Sequence, residues 1–296
     1  MSLFKYYVRF FHNRVIVIKN TNNYVKLENL KLNNEEIKRI VKSTIVKSIE
    51  GFAKKSLKKK PKFQILDLLI PKERKIRSIV GGLETSLGTT LWEPLAKALA
   101  TNNGFIVNEK NLQCPTNMPS TLNSTLQSII DDRKKLGGLY NAQSSHDEIK
   151  RVCQTFALRP IDSFENPPKG RGVDLWLYKD GLDYFFDIKT VQPNLSTLSV
   201  CLEQVLGWYS YYYCKNPGGK AISRIVFPYN PNPDMSFWDG AIGKGKPLEA
   251  DTEVWVEDQF WDFCSGYLGT FAIIMDSFKE LRDHKILENV LDNLLK

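Results

Sequence analysis

The sequence predicts an α/β protein in which helices flank a mixed β-sheet. Two runs of aromatic and aliphatic residues, 173–178 and 183–189, are separated by a short turn that contains Asp180-Gly181. An Asp-Gly pair between two such runs is a strong signal for a β-hairpin. Around the hairpin, apolar residues recur at three- and four-residue steps, which indicates amphipathic helices. Helical and strand patterns that alternate along one chain are typical of an α/β core.

Four helices are predicted before the hairpin. The first is expected to begin at a cap on Asn34, the second to cover 85–100 with a bend or a start at Pro94, the third to cover 121–136, and the fourth to open at a capping box beginning with Ser145. The N-terminal region is therefore expected to be mainly helical.

The segments after the hairpin complete the predicted core. A helix is expected over 198–209, a strand over 221–229 and mainly helical structure over 257–296, with a long Pro-, Gly- and Asn-rich loop over 228–251. Loops of this length within a compact domain are usually functional or disordered, and we interpret this one as a groove-reading loop. We divide the chain into 1–80, an N-terminal arm and basic helical region, and 81–296, a core with C-terminal helices. A single domain overall is the alternative.

Charge is the clearest feature of the composition. Lysine and arginine total 41 against 33 acidic residues, which gives a net charge of +8 and a pI of about 9.1. Ten basic residues and only two acidic ones lie between Lys54 and Arg77. A phosphate-backbone contact is one reading of this cluster, and a solvated helix end is the other.

Several classes of protein are disfavoured by the sequence. The five cysteines are odd in number and form no CxxC pair, so neither a disulfide framework nor a structural zinc site is indicated, and we expect a reducing, cytoplasmic location. Residues 1–19 are too interrupted by charge for a signal peptide or a membrane span, and no membrane association is expected. Residues 167–172 lack the phosphate-loop pattern of nucleotide-binding proteins.

The hairpin brings three ionisable residues together. If Asp180 and Gly181 form a two-residue turn, counting outward pairs Asp174 with Asp187, and Lys189 lies on the same face one pleat further on. Directly opposed residues have Cβ atoms roughly 5 Å apart, so two carboxylates there repel each other unless a cation lies between them.

Two carboxylates beside a lysine suit phosphodiester hydrolysis. Hard oxygen ligands hold Mg²⁺, which lowers the pKa of a bound water, and an ammonium stabilises charge that develops on the phosphate. An ion pair on a solvated sheet face is the alternative. The opposite face of the hairpin is apolar and Trp176 and Phe185 lie beside the acids, so the strands are expected to be buried on both sides, which favours the functional reading.

This arrangement resembles the PD-(D/E)xK nuclease superfamily. In that likeness Asp174 matches the first acid, Asp187 the second acid and Lys189 the lysine, while Val173 stands where the nominal proline would be. The resemblance implies a restriction-endonuclease-like core, catalysis by these three residues and metal binding by the two aspartates with the Ile188 backbone carbonyl.

Longer blocks are similar to the TdeIII-type type II restriction endonucleases. These blocks are 82–93, 172–176 and 187–194, and the likeness extends over most of the chain from about residue 35 onward. It implies magnesium-dependent cleavage of double-stranded DNA at a short palindrome of the GGNCC kind, a homodimer and a companion DNA methyltransferase. A structure-specific or repair nuclease of the same superfamily and a non-catalytic DNA-binding protein are the alternatives.

The resemblance and the charge pattern name further candidate residues. Glu84 or Glu93 is a candidate additional metal ligand, although a glutamate near a helix start often only complements the helix dipole. Gln204 is a candidate supporting residue on the helix after the lysine. The candidate DNA-binding residues are Lys58, Lys59, Lys60, Lys169, Arg171, Lys244 and Lys246.

Overall fold

The computed structural model describes residues 7–11, 14–18, 26–29, 32–57, 63–135, 137–239 and 245–295. The first three segments form a small antiparallel sheet in the order β1 (Tyr7–Phe11), β2 (Arg14–Ile18), β3 (Lys26–Asn29). The helices α1 (Asn34–Ser56), α2 (Pro71–Leu87) and α3 (Glu93–Asn102) follow, with a π-helical segment, Gly88–Trp92, between the last two.

The remaining elements alternate between strands and helices. In chain order they are β4 (Ile106–Val107), β5 (Cys114–Pro115), α4 (Ser120–Arg133), α5 (Ala142–Gln154), β6 (Phe164–Glu165), β7 (Leu175–Lys179), β8 (Leu182–Ile188), α6 (Leu195–Lys215), β9 (Ala221–Phe227), α7 (Ala250–Glu253), β10 (Val254–Val256), α8 (Asp258–Ser265), α9 (Thr270–Asp283) and α10 (Glu288–Leu295). The predicted hairpin corresponds to β7 and β8, and the predicted later strand corresponds to β9.

A five-stranded mixed sheet organises the fold, in the order β10-β9-β8-β7-β4. β4 and β8 are antiparallel to β7, whereas β8, β9 and β10 run parallel. Parallel neighbours need a crossover connection, and α6 supplies it between β8 and β9. The predicted α/β class with a mixed sheet flanked by helices is confirmed.

The two faces of the sheet pack against different helices. Leu177 and Phe186 point into a core shared with α1, α3, α8 and α9, while Phe185 and Ile225 point into a core shared with α4, α5 and α6. Alternate residues of β8 are thus buried on opposite faces, as the aromatic content of the hairpin indicates. The face that carries Phe185 is also the face on which the hairpin's acidic residues lie.

Some helix starts differ from the predicted ones. Asn33, not Asn34, caps α1, because its side chain accepts the Glu36 N–H while the Glu36 carboxylate accepts the Asn33 N–H. Asn141 caps α5 in the same way, so Ser145 lies one turn inside that helix. Several capping residues close together in sequence compete, and only packing selects among them.

Candidate active site

The turn of the hairpin has the two-residue form that the sequence predicts. Asp180 and Gly181 adopt φ values of 52° and 81°, the left-handed conformations that a type I′ turn requires. The ladder then pairs Lys179 with Leu182 and continues to Leu175 opposite Phe186. The register is the one obtained by counting outward from the turn.

The regular pairing of the two strands ends at Leu175, and the next residue, Asp174, forms two hydrogen bonds of a different kind. The Asp174 N–H donates to the Phe186 carbonyl at 3.0 Å, and the Asp174 carboxylate accepts the Ile188 N–H at 2.9 Å. The side chain of Asp174 therefore takes a place that a backbone carbonyl occupies in a regular ladder, and it holds the carboxylate against the end of β8.

Asp187 and Lys189 form an ion pair next to this carboxylate. Asp187 is 5% exposed, and its Oδ2 lies 2.6 Å from the Lys189 Nζ. The Lys189 side chain is 31% exposed, so the ammonium reaches from the buried acid toward solvent. The Lys189 N–H donates to the Val226 carbonyl at 2.9 Å, which continues the pairing with β9 and fixes the backbone at this residue.

The surroundings of Asp174, including the neighbouring Asp187, change its ionisation. Burial, the charge of Asp187 and a hydrogen bond between the two side chains raise the pKa of Asp174 to about 6, although the Ile188 N–H and the Lys189 charge act in the opposite sense. Two carboxylates this close do not both ionise easily without a positive charge between them. A bound divalent cation would replace the proton, and carboxylate oxygens are the ligands that Mg²⁺ prefers. The pair thus fits a metal.

Lys189 keeps its proton in this setting. Burial alone would lower the pKa of its ammonium, but the charge of Asp187 and the hydrogen bond to it raise that pKa above the ordinary value. The ammonium is therefore available as a fixed positive charge and hydrogen-bond donor at neutral pH.

Cys201 of α6 is a neighbour that the sequence did not reveal. Its thiol is close enough for the charges of Lys189 and Asp187 to affect its ionisation, and burial raises its pKa to about 12. The thiol is neutral and forms an apolar wall beside the ion pair. A signal for this position was present in the sequence, because one apolar stripe of α6 faces the sheet and includes Cys201. The residues of the stripe are Leu198, Cys201, Leu202 and Val205.

The two candidate glutamates have other neighbours in the structure. Glu93 forms an ion pair with Lys97 at 3.0 Å. Glu84 is exposed and lies near Tyr229, because burial and, secondarily, the charge of Glu84 raise the pKa of Tyr229. Within the described residues, no group of three or more His, Cys, Asp or Glu side chains could hold a metal ion.

α6 clamps the loop that precedes Asp174. Gln204 donates to the Gly170 carbonyl at 3.2 Å, Trp208 donates to the Arg171 carbonyl at 3.0 Å, and the Arg171 guanidinium pairs with Glu203 at 3.0 Å. Gln204 is buried, and its Oε1 has no hydrogen-bond partner among the described residues. Gln204 thus supports the loop that leads into the site.

The candidate DNA-binding residues fall into three groups. Lys169 and Lys246 are exposed, whereas Arg171 is half-buried in its ion pair. Lys58, Lys59, Lys60 and Lys244 lie outside the described residues.

The long loop after β9 is anchored close to the end of β8. Gln192 donates to the Phe237 carbonyl at 2.7 Å, and Phe237 is buried against Phe227. Deleting the whole segment 236–246 would therefore damage the core, so smaller changes are needed to test the role of this loop.

Comparison with known proteins identifies a matching family. The family model described as the type II restriction endonuclease HinfI matches residues 33–282. No curated protein and no solved structure matches the chain significantly. Among the parts of the chain that the structure describes, no helix has the length and apolar character needed to cross a membrane.

Proposed function

The chain belongs to the HinfI family of type II restriction endonucleases, and on that premise we propose that it cuts DNA by hydrolysis at Asp174, Asp187 and Lys189. Family membership makes it a site-specific deoxyribonuclease. The assignment of the site depends on one observation: the Asp187–Lys189 ion pair lies next to Asp174, whose carboxyl pKa is raised. Strongly perturbed ionisable groups gathered in one place are typical of catalytic sites.

We propose Mg²⁺ as the metal, held by the carboxylates of Asp174 and Asp187 with the Ile188 backbone carbonyl. Type II restriction endonucleases generally use divalent ions, and when bound such an ion polarises the phosphate and lowers the pKa of a coordinated water. Glu84 and Glu93 stay candidates for a further carboxylate. To bind the metal, Glu93 would have to give up its ion pair with Lys97.

Lys189 has a defined part in the proposed reaction. Its ammonium donates hydrogen bonds to the attacking water or to a phosphate oxygen, and it stabilises the negative charge that develops there. A water oxygen forms the new bond to phosphorus and gives up a proton to solvent, while the bond to the leaving sugar oxygen breaks and that oxygen takes up a proton from solvent. Because the Lys189 pKa is raised, the side chain acts as a charge and a donor and does not remove the water proton itself.

The DNA substrate is the finer part of the proposal. The net charge of +8 and exposed Lys169 and Lys246 support contact with the phosphate backbone, with Lys58, Lys59, Lys60 and Lys244 as further candidates. Cutting both strands of a palindrome calls for two-fold symmetry, so we propose a homodimer. A companion methyltransferase would protect the host site. The resemblance to TdeIII-type enzymes favours a GGNCC-like site, and the HinfI match does not select that sequence.

Plasmid cleavage with sequencing of the product ends tests this function. With Mg²⁺, the wild-type chain should cut plasmid DNA into discrete fragments whose ends share one short palindrome. Asp187→Ala should abolish cleavage and retain DNA binding in a gel-shift assay with Ca²⁺. Asp180→Asn is the matched control, since it changes an acid in the same hairpin at a turn position that asparagine tolerates. Full activity of Asp187→Ala would refute the assignment of the site.

A further inference from the structure

The outer face of α2 is open along its whole length. None of its 17 residues is buried, and an open groove runs over Glu73, Ile76, Arg77, Val80, Gly81 and Glu84. A Cβ on Gly82 would lie 3.5 Å from the Phe52 ring of α1, but a Cβ on Gly81 would have no described atom within 4 Å. α2 therefore packs on α1 with one side and presents the other side, with a glycine at its centre, to solvent.

The segment that leads into α2 adds a large apolar surface. Six of its side chains are between 44% and 78% exposed: Phe63, Ile65, Leu66, Leu68, Leu69 and Ile70. Val80 of α2 is a seventh exposed apolar side chain, at 41%. Their exposed parts amount to on the order of 500 Å² of apolar area. A stable protein–protein interface buries about 800 Å² on each partner, of which somewhat more than half is apolar. The surface has the size that one subunit contributes to a dimer.

We propose that this surface, α2 with residues 63–70, is where a second copy of the chain binds. The inference rests on the proposed function, because cutting both strands at a palindrome is what requires a second copy. A two-fold interface brings the same patch of both subunits together, so the patch must be complementary to itself.

The charges on α2 meet that condition. When two α2 helices cross antiparallel about a two-fold axis at Val80 and Gly81, a residue three positions before Val80 faces the residue three positions after Gly81. Arg77 of each copy then lies opposite Glu84 of the other, and both side chains line the groove. Neither makes an ion pair within the part of its own chain that the structure describes. Gly81 at the crossing lets the two backbones approach closely.

The position of α2 connects this surface to the active site. A Cβ on Gly88, directly after α2, would lie 3.8 Å from the Thr190 Cγ2, and Thr190 follows Lys189. The Tyr229 hydroxyl donates a hydrogen bond to the Thr190 carbonyl at 3.1 Å. Burial and, secondarily, the charge of Glu84 raise the pKa of Tyr229, so Glu84 of α2 also lies near this residue. A contact through α2 would thus place the two active sites in a fixed relation.

Sedimentation equilibrium of the full chain, without DNA and without metal, tests the proposal. The wild type should be a concentration-dependent dimer. Arg77→Glu places like charges opposite each other twice in the interface and should weaken dimerisation at least about tenfold. The double variant Arg77→Glu with Glu84→Arg restores opposite charges and should recover the dimer. Lys135→Glu is the matched control, because it makes the same charge change at an exposed site after α4, on the other side of the sheet.

Each alternative outcome contradicts the proposal. A monomeric wild type at all concentrations, an Arg77→Glu dimer of unchanged strength, or a double variant that stays as weak as the single one would each overturn it. So would a loss of DNA affinity in Arg77→Glu with an unchanged mass, since the surface would then face DNA. If the chain forms this dimer but has no nuclease activity, the dimer interface is supported and the proposed function is wrong. If the chain is a monomer that cuts both strands, the proposed function is supported and the dimer interface is wrong.

Discussion

The backbone N–H of Ile188 donates a hydrogen bond of 2.9 Å to Oδ2 of Asp174. This bond joins the end of β8 to the start of β7 through a side chain, at the point where the backbone ladder stops. One oxygen of Asp174 is thereby held in place beside Asp187. The charge state of this carboxylate should govern how the site responds to pH and to metal.

We expect the affinity for Mg²⁺ to fall as the pH drops through about 6. The pKa of Asp174 is raised to about 6, so below that pH a proton occupies the position that a cation needs. The apparent affinity should decrease about tenfold per pH unit below this point. Titration calorimetry in two buffers of different ionisation enthalpy would measure both the affinity and the protons released. Proton release that is the same in wild type and Asp174→Asn would contradict the expectation.

Asp174→Asn should stabilise the metal-free protein at pH 8. The raised pKa means that the folded state holds the Asp174 proton more tightly than the unfolded state does. Protonated Asp174 therefore contributes its full stabilisation of the fold below pH 4, and this contribution is lost as the pH rises through about 6. Asparagine carries no charge and its oxygen can still accept the Ile188 N–H. Urea unfolding should show a gain of about 1–3 kcal/mol at pH 8 and little change at pH 4. A loss of stability at pH 8 would mean that the aspartates do not repel each other.

Lys189→Met should slow cleavage by about 10²–10³ in single-turnover experiments at saturating Mg²⁺. The ammonium lies 2.6 Å from Asp187 and supplies the charge that the proposed transition state needs. Binding of DNA should change little. Lys220→Met, which removes an exposed lysine between α6 and β9, serves as the control. An equal rate in both variants would exclude a catalytic part for Lys189.

Arg133→Met should destabilise the fold by about 3–5 kcal/mol. Arg133 donates to both oxygens of Glu253 at 2.8 and 2.6 Å and to the Pro247 carbonyl at 2.9 Å, and the substitution leaves the buried Glu253 charge unpaired. Urea unfolding at pH 7 measures the change. Lys134→Ala breaks the neighbouring exposed pair with Glu203 and should cost less than about 1 kcal/mol. Similar effects of the two substitutions would contradict the importance of burial.

Lys169→Ala should weaken DNA binding and make it less dependent on salt. If the exposed Lys169 contacts one phosphate, its removal should reduce the slope of log affinity against log salt by about 1. Arg171→Ala should also loosen the loop, because it removes the ion pair with Glu203. Binding measured at several salt concentrations with cognate and random DNA separates the two effects. An unchanged slope for Lys169→Ala would place this residue away from the phosphates.

The sequence alone determined the hairpin and its register. A two-residue Asp180-Gly181 turn leaves no freedom in the pairing that follows, so the strands up to Leu175 and Phe186 could be counted residue by residue. Periods of two and of three to four residues likewise located β9 and the helices α1, α4, α5 and α6, because those periods reflect local backbone geometry. The helix predicted over 85–100 is instead divided between the end of α2, the π-helical segment and α3.

Tertiary structure decided the rest of the site. The thiol of Cys201 comes beside Lys189, and Gln204 meets Gly170, only because α6 crosses over one face of the sheet between β8 and β9. The side-chain bond from Ile188 to Asp174 arises where the ladder ends, which strand pairing rules do not anticipate. These contacts join residues that are distant in sequence or depart from regular geometry, so their energies appear only when the whole core packs.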